Sequence, residues 1–128
     1  MAAIKSHRDL IVWQKAMDFA EQVYVVTRTF PADERFGLTS QLRRAASSVP
    51  ANIAEGHARE TRRDYGQFLA IAQGSLAEVE TFLLLSNRLA YVHTAALEPL
   101  LALLQEIGRM LSALRARLRT RAAHAPTN

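Results

Sequence analysis

The 128-residue sequence contains no cysteine, which excludes disulfides and thiolate metal sites and gives no sign of an oxidising compartment. Only five glycines and four prolines interrupt it, and no segment shows the sustained alternation of apolar and polar residues that predicts a strand. No stretch approaches the roughly 18 uninterrupted apolar residues of a membrane span, so we expect no membrane partner. The first residues lack a signal-peptide pattern, and we expect a cytoplasmic protein with one domain over residues 1–128.

Lysine is also scarce, because 14 of the 16 basic residues are arginine, in a chain of net charge +4. Arginine suits bidentate contact with phosphates and carboxylates, although an excess of arginine also arises from genome composition. Acidic residues end at Glu106. Five unopposed arginines follow it: Arg109, Arg115, Arg117, Arg119 and Arg121.

Apolar periodicity predicts four helices, and helix-stop signals separate them. Asp9 is a favourable N-cap for the first helix, and Pro31 marks a break after it. The predicted helices cover about residues 10–30, 34–57, 62–90 and 96–120, followed by a frayed tail at 122–128. Short connections between them favour an all-α, antiparallel up-down-up-down four-helix bundle.

The first helix is apolar over about half of its circumference, which is more than a helix in a monomeric bundle usually needs. Two adjacent heptad seams produce this pattern. One contains Leu10, Trp13, Met17, Ala20, Tyr24 and Thr27, and the other Val12, Ala16, Phe19, Val23, Val26 and Phe30. Either a second partner helix, such as one from another subunit, packs against this wide apolar face, or the chain has a generous core of its own.

The second helix carries a proline in its interior, at Pro50. An interior proline costs about 3 kcal/mol because it removes a backbone hydrogen bond and crowds the preceding turn. We expect a kink there and a freed carbonyl at Ala46. Ser47, Ser48 and Asn52 are candidates to satisfy that carbonyl.

A polar stripe runs along the same helix, within about 80° of its circumference at 100° per residue. It consists of Gln41, Arg44, Ser48, Asn52 and Glu55. Small residues on the opposite face, including Gly56, predict a closely approaching neighbour. We interpret the stripe as a fixed polar network in the fold or an interface, with Glu78 as an ion-pair partner for Arg44 or another arginine.

The third helix begins after Thr61, whose spacing to Asp64 imitates a capping box. Gly66 and Gly74 lie inside it at a cost of about 1 kcal/mol each, which predicts close contacts at both positions. The fourth helix carries a regular heptad. Its members are Leu100, Leu104, Ile107, Leu111, Leu114 and Leu118.

Catalytic and metal-binding patterns are missing from the sequence. Di-iron bundles need Glu-x-x-His motifs, and none occurs. The histidines, His7, His57, His93 and His124, form no i, i+3 or i, i+4 pair, and we expect them to be exposed rather than ligands. There is no nucleophile motif, P-loop or dinucleotide fingerprint. We therefore expect no enzyme activity, no cofactor and no metal.

Basic residues cluster at one turn, where Arg59, Arg62 and Arg63 lead into the third helix. Cations at a helix N-terminus oppose the macrodipole, so they suggest a phosphate backbone or an acidic partner nearby, unless the turn is simply solvated. The arginines at the end of the fourth helix interact favourably with the negative end of its dipole, which is a structural explanation for them. The functional alternative is that they form a collar that binds phosphates.

Four segments resemble a known bacterial family, in order, over about residues 9–118. They are DLIVWQKAMDFAEQVY, FPADERFGLTSQLRRAASSVPANIAEGHAR, YGQFLAIAQGSLAEVET and IGRMLSAL. The chain resembles the four helix bundle family of 23S ribosomal RNA intervening-sequence (S23-type) proteins. The resemblance implies a homopentamer. The family also resembles the accessory variability protein of diversity-generating retroelements, which binds nucleic acid and a reverse transcriptase. The resemblance also implies structural or interface roles for Trp13, Gln41, Arg44, Pro50, Asn52, Glu55 and Gly56.

The sequence thus predicts a non-enzymatic homopentamer that contacts phosphates of RNA or DNA. The predicted contacts are Arg59, Arg62, Arg63, Arg115, Arg117, Arg119 and Arg121. The alternative is an oligomeric scaffold or adaptor for a protein partner, such as a reverse transcriptase, with no nucleic-acid role.

Overall fold

The computed structural model describes residues 3–123, with side chains up to residue 120, and its architecture is an all-α bundle of four long helices. They are α1 (Ile11–Thr27), α2 (Leu38–His57), α3 (Arg62–Arg88) and α4 (Thr94–Ala123). Short 3₁₀ helices at His7–Asp9 and Ala32–Glu34 precede α1 and α2. No strand occurs in this part of the chain. The predicted fold class is therefore confirmed.

The helix contacts form a closed cycle, in which α1 packs on α2 and α4, and α3 packs on the same two helices. Helices α2 and α3 run in opposite directions: Ser48 of α2 contacts Ser75 of α3, whereas Gly56, later in α2, faces Tyr65, earlier in α3. The up-down-up-down order of all four helices stays a prediction. The bend predicted at Pro50 stays a prediction.

The core is formed by the stripes that the periodicity predicts. Phe19 of α1, Leu42 of α2 and Leu69 of α3 are fully buried, as are Ile107 and Leu111 of the α4 heptad. Burial of such large apolar side chains contributes roughly 1.5–3 kcal/mol each relative to exposure. This shared core fixes the positions of the four helices relative to one another, including those of their ends.

The start of α1 differs from the prediction. Asp9 is not its N-cap; that position is Leu10. The Asp9 carboxylate instead accepts hydrogen bonds from the backbone N–H groups of Lys5 (2.8 Å) and Ser6 (3.2 Å), which lowers the pKa of Asp9. Asp9 therefore closes a capping box with Ser6 around the first 3₁₀ helix, and its carboxylate does not cap α1.

The end of α3 also comes earlier than predicted, at Arg88. Ala90 has a φ of 64°, the left-handed conformation that terminates many helices, and the backbone N–H of Tyr91 donates to the carbonyl of Ser86. Thr61 does cap the start of α3, accepting from the backbone N–H of Asp64 at 3.1 Å. The α4 helix begins at Thr94, two residues before its predicted start.

Glycine positions show one close approach. A Cβ on Gly56 would lie 2.8 Å from Cβ of Phe68 on α3, so the predicted close neighbour at Gly56 is present. The close contacts predicted at Gly66 and Gly74 are wrong for this chain, since an added Cβ would meet nothing within 4 Å at either position.

One long helix leaves much of its apolar surface uncovered. Helix α3 is long and apolar enough to cross a bilayer, judged by length and composition alone. A core helix of a globular protein also meets this criterion. Only 33% of its most apolar window is buried in the chain. The outer surface of α3 therefore lacks a partner within the described residues. Ile71, Leu84 and Leu85 are exposed on the helix, and Leu89 is exposed just after its end.

Candidate nucleic-acid interface

Two of the predicted arginine clusters meet at one end of the bundle, where α3 begins and α4 approaches its end. A cavity of about 330 Å³ lies between these helices. Arg62 and Arg63 of α3 line it from one side, and Arg115 and Arg119 of α4 from the other. The fold thus brings together two pairs of cations that are more than 50 positions apart in the sequence.

The local sequence explains how each pair is held. The cap at Thr61 starts α3 so that Arg62 and Arg63 are its first two helical residues. Arg115 and Arg119 are four residues apart and therefore project from the same face of α4. Both pairs thus point toward the seam between the two helices.

Arg115 is the most constrained of the four. Its Nη1 donates a hydrogen bond to Oε1 of Gln73 on α3. The amide Nε2 of Gln73 in turn donates to Oγ of Ser112 over 2.8 Å. The Nε atom of Arg115 is buried and has no hydrogen-bond partner among the described residues. Arg115 is therefore oriented by neutral groups and is not neutralised by a carboxylate there.

Arg59 is separated from this group by its own contacts. It forms an ion pair with Glu55 over 3.1 Å, one turn earlier in the chain. Its guanidinium carbon also lies 4.6 Å from the centre of the Phe68 ring. An exposed pair of this kind contributes little stability, but it neutralises the charge of Arg59 locally.

The remaining predicted contacts do not join the cavity. Arg117 borders a different cavity of about 310 Å³, with Asp9 and Met110 in its wall. Burial raises the pKa of Tyr65, and the positive charge of the nearby Arg117 partly opposes that rise. The side chain of Arg121 lies outside the described residues.

The polar stripe of α2 divides into an inner and an outer part. Ser48 and Asn52 are half-buried: Asn52 Nδ2 donates to the carbonyl (2.8 Å) and to Oγ (2.9 Å) of Ser48. Gln41, Arg44 and Glu55 are exposed. The predicted fixed network therefore exists only at the inner part.

Two detailed predictions about α2 are wrong. Ser47 donates to the carbonyls of Arg43 and Arg44 (2.8 and 3.1 Å) rather than to that of Ala46. Asn52 likewise bonds Ser48, so local i−4 acceptors outcompete the carbonyl freed by the proline. Among residues 3–120, Arg44 forms no ion pair with Glu78 either.

A broad groove of about 870 Å³ runs between α1 and α2. Trp13 and Pro50 lie in its wall, as predicted interface residues, together with Met17 and Tyr24. The side chains of Met17 and Tyr24 are 45% and 42% exposed. The first seam of α1 is thus only partly covered, so a generous core within the chain does not account for it.

The sequence offered no sign of two residues that organise the cavity, Gln73 and Ser112. Both are ordinary polar residues of a helix surface, and only the register of α3 against α4 places them beside Arg115.

The histidines differ in part from the prediction. His7 and His57 are half-buried and lie edge-on to Trp13 and Tyr65, respectively. Within the described range, no three metal-binding side chains come together.

Comparison with known proteins identifies relatives of this bundle. Residues 8–113 match the family described as 23S rRNA-intervening sequence protein. A similar crystal structure is that of a protein of unknown function from the S23 ribosomal protein family of Bacteroides thetaiotaomicron, at 26% identity and a TM-score of 0.74. The alignment covers 82% of this chain and 98% of that one. No curated protein gives a significant match.

The resemblance to the accessory variability protein stays a prediction, whereas the match to the first family spans most of the sequence and agrees with the helical fold. The chain belongs to the 23S rRNA-intervening sequence protein family.

Proposed function

We propose that this protein is a non-enzymatic, cytoplasmic homopentamer that binds RNA or DNA through contacts between arginines and phosphates. The observation that carries the proposal is the convergence of Arg62, Arg63, Arg115 and Arg119 on one cavity. Four guanidinium groups at one end of a bundle form a local positive field that attracts a polyanion.

The chemistry of the cavity favours phosphate contact over base recognition. Guanidinium groups match phosphate oxygens in a bidentate geometry. The residues that line the cavity include no aromatic side chain on which a base would stack. Such contacts position a nucleic acid without reading its sequence.

Two uncovered apolar faces support assembly into a ring. One is the groove face of α1 around Met17 and Tyr24, and the other is the outer face of α3 around Ile71 and Leu85. The two helices do not touch within the described range, so these faces lie on different sides of the bundle. A closed ring needs two different surfaces that complement each other, and we assign these faces to that role. The number five comes from the family resemblance.

Assembly would concentrate charge. Each chain carries +4, so five copies carry +20. If the α3–α4 ends face the same direction in a ring, their cavities form one basic rim. A weak contact at each copy then becomes a multivalent interaction.

Salt dependence of binding tests the nucleic-acid role. We expect the logarithm of the association constant for duplex DNA or single-stranded RNA to fall linearly with the logarithm of salt concentration. Arg63→Ala or Arg119→Ala should reduce the magnitude of that slope by about one for each phosphate that the variant no longer neutralises. Arg88→Ala is the matched control, because Arg88 is exposed and lies about 40 Å away at the far end of α3.

The proposal is overturned if neither RNA nor duplex DNA binds at low salt. Equal slopes for Arg63→Ala, Arg119→Ala and Arg88→Ala would show that any binding occurs elsewhere on the surface.

A protein partner is the second candidate function, and the exposure of Phe36 favours it. This side chain is 87% exposed in the connection before α2. Arg35 lies over its ring at 5.3 Å, so an aromatic and a cation are presented together. An adaptor role for a partner such as a reverse transcriptase predicts that Phe36→Ala abolishes capture of that partner without changing nucleic-acid binding.

A further inference from the structure

The cavity between α3 and α4 has features that simple phosphate-backbone contact does not need. Four arginines and Gln67 line it, and the rest of its wall is formed by Gly66, Ala70 and Leu118, which offer no polar side chain. A volume of about 330 Å³ lies at the lower end of the range of small-ligand sites. The cavity is a half-open pocket lined by both charged and apolar residues.

The surroundings of Arg115 indicate that the pocket lacks a negative charge. A guanidinium that is partly removed from water is costly unless an anion or several acceptors compensate its charge, and Arg115 is half-buried. Within the described residues, Gln73 accepts one bond from it, while its Nε is buried without an acceptor. The two ion pairs among the described residues involve other side chains, namely Lys15 with Glu106 and Arg59 with Glu55. A bound anion would supply the missing charge.

The first turn of α3 adds a second contribution at the same place. Helix α3 is 27 residues long, and its N-terminal end carries partial positive charge from unpaired N–H groups. Arg62 and Arg63, which oppose this dipole in the free protein, become favourable once an anion lies between them and Arg119. The unfavourable placement of these cations thus has a physical explanation.

The number of positive charges favours one kind of phosphate. A phosphodiester within a continuous strand carries one negative charge, which a single arginine neutralises. A terminal phosphate monoester carries about −1.5 to −2 at neutral pH and enters from one side only. Four arginines supply more positive charge than one diester neutralises and match the monoester, with the attached nucleoside against Ala70 and Leu118.

We propose that this cavity binds the phosphate monoester of a nucleotide, either at the end of a nucleic-acid chain or in a free nucleoside monophosphate. For the first source, the inference rests on the proposed nucleic-acid role. Arg115, oriented by Gln73, contacts the phosphate together with Arg63 and Arg119.

The test compares one RNA oligonucleotide with a terminal phosphate and with a terminal hydroxyl, at constant salt, alongside adenosine monophosphate alone. We expect about tenfold tighter binding of the phosphorylated oligonucleotide, because charge-assisted hydrogen bonds to the monoester are added. Arg63→Ala and Arg119→Ala should abolish this preference, and Arg88→Ala should retain it. Arg63 and Arg119 are exposed, so their truncation should leave the thermal unfolding midpoint unchanged.

The Arg115→Lys variant separates the effect of the guanidinium's geometry from the effect of its charge. Lysine keeps the charge but loses the planar fork, so the preference should disappear while general salt-dependent binding remains. An unchanged preference in Arg115→Lys would contradict the assigned role of Arg115.

The outcomes distinguish the two proposals. Binding of adenosine monophosphate that Arg119→Ala abolishes, with no RNA or DNA binding at all, would support the monoester site and refute the nucleic-acid function. Equal binding of both oligonucleotides, together with no binding of adenosine monophosphate, would overturn the monoester site and leave salt-dependent nucleic-acid binding standing.

Discussion

The hydroxyl of Ser75 on α3 donates a hydrogen bond to the hydroxyl of Ser48 on α2 over 2.9 Å. Ser48 also accepts from the amide of Asn52, so three polar side chains form one connected group at the interface between α2 and α3. Ser48 lies two residues before Pro50 on the same helix. The inner part of the α2 stripe therefore stabilises the fold rather than presenting a free ligand site.

Asn52→Ala should lower the free energy of unfolding by about 1 kcal/mol, because it removes the partner of a half-buried serine. The measurement is chemical denaturation followed by circular dichroism. Gln41→Ala is the matched control, since Gln41 lies on the same stripe but is exposed, and its substitution should change stability by less than about 0.5 kcal/mol. Equal stability of the two variants would refute a structural role for the inner stripe.

Gly56→Ala should destabilise the protein by about 1–3 kcal/mol, because the new Cβ overlaps packed atoms of α3. The added carbon would lie 2.8 Å from Cβ of Phe68 and 3.2 Å from the carbonyl oxygen of Tyr65, neither of which moves easily. Gly108→Ala is the control, since a Cβ there meets nothing within 4 Å. It should stabilise α4 by up to about 1 kcal/mol through helix propensity. Thermal unfolding of both variants checks the opposite signs.

Stability should fall as the pH rises above about 10, and Tyr91 should contribute to that fall. Its hydroxyl donates to Oε2 of Glu34 at 3.0 Å, and this bond raises the pKa of Tyr91 above its ordinary value of 10.0. Below that pH the tyrosine is protonated in both states and its contribution is fully present. Above it the unfolded state ionises first, so the contribution is lost as the pH passes the raised pKa.

Denaturation midpoints of the wild type and Tyr91→Phe, measured on both sides of this pH, check the effect. The wild type should lose more stability than the variant. The same loss in both proteins would mean that the bond to Glu34 does not couple to folding.

Assembly should depend on the two uncovered apolar faces. Light scattering of the wild type should give about 70 kDa for five chains of 14.3 kDa. Met17→Glu on α1 and Leu85→Glu on α3 should each give a smaller species, because a buried unpaired carboxylate is costly. Gln105→Glu, at an exposed position of α4, should retain the assembly. A wild-type mass of 14.3 kDa would overturn the pentamer.

The periodicity of the sequence predicted the helices and their inner faces well. The heptad of α4 from Leu100 to Leu111 is buried, and Thr61 caps α3 as its spacing to Asp64 indicated. Errors arose where several local partners compete. Asp9 matched the pattern of a helix cap, but its carboxylate accepts from the backbone N–H groups of Lys5 and Ser6, which precede it in the chain.

The sequence by itself determined four helices, their apolar faces and the places where the chain turns, because each depends on neighbours within one or two helical turns. Only the tertiary structure decided that Arg62 and Arg63 face Arg115 and Arg119, while Arg59 and Arg117 do not line the same cavity. It also decided that Ser48 meets Ser75. These relations depend on the register of whole helices against one another, which side-chain packing across the shared core sets and no local pattern encodes.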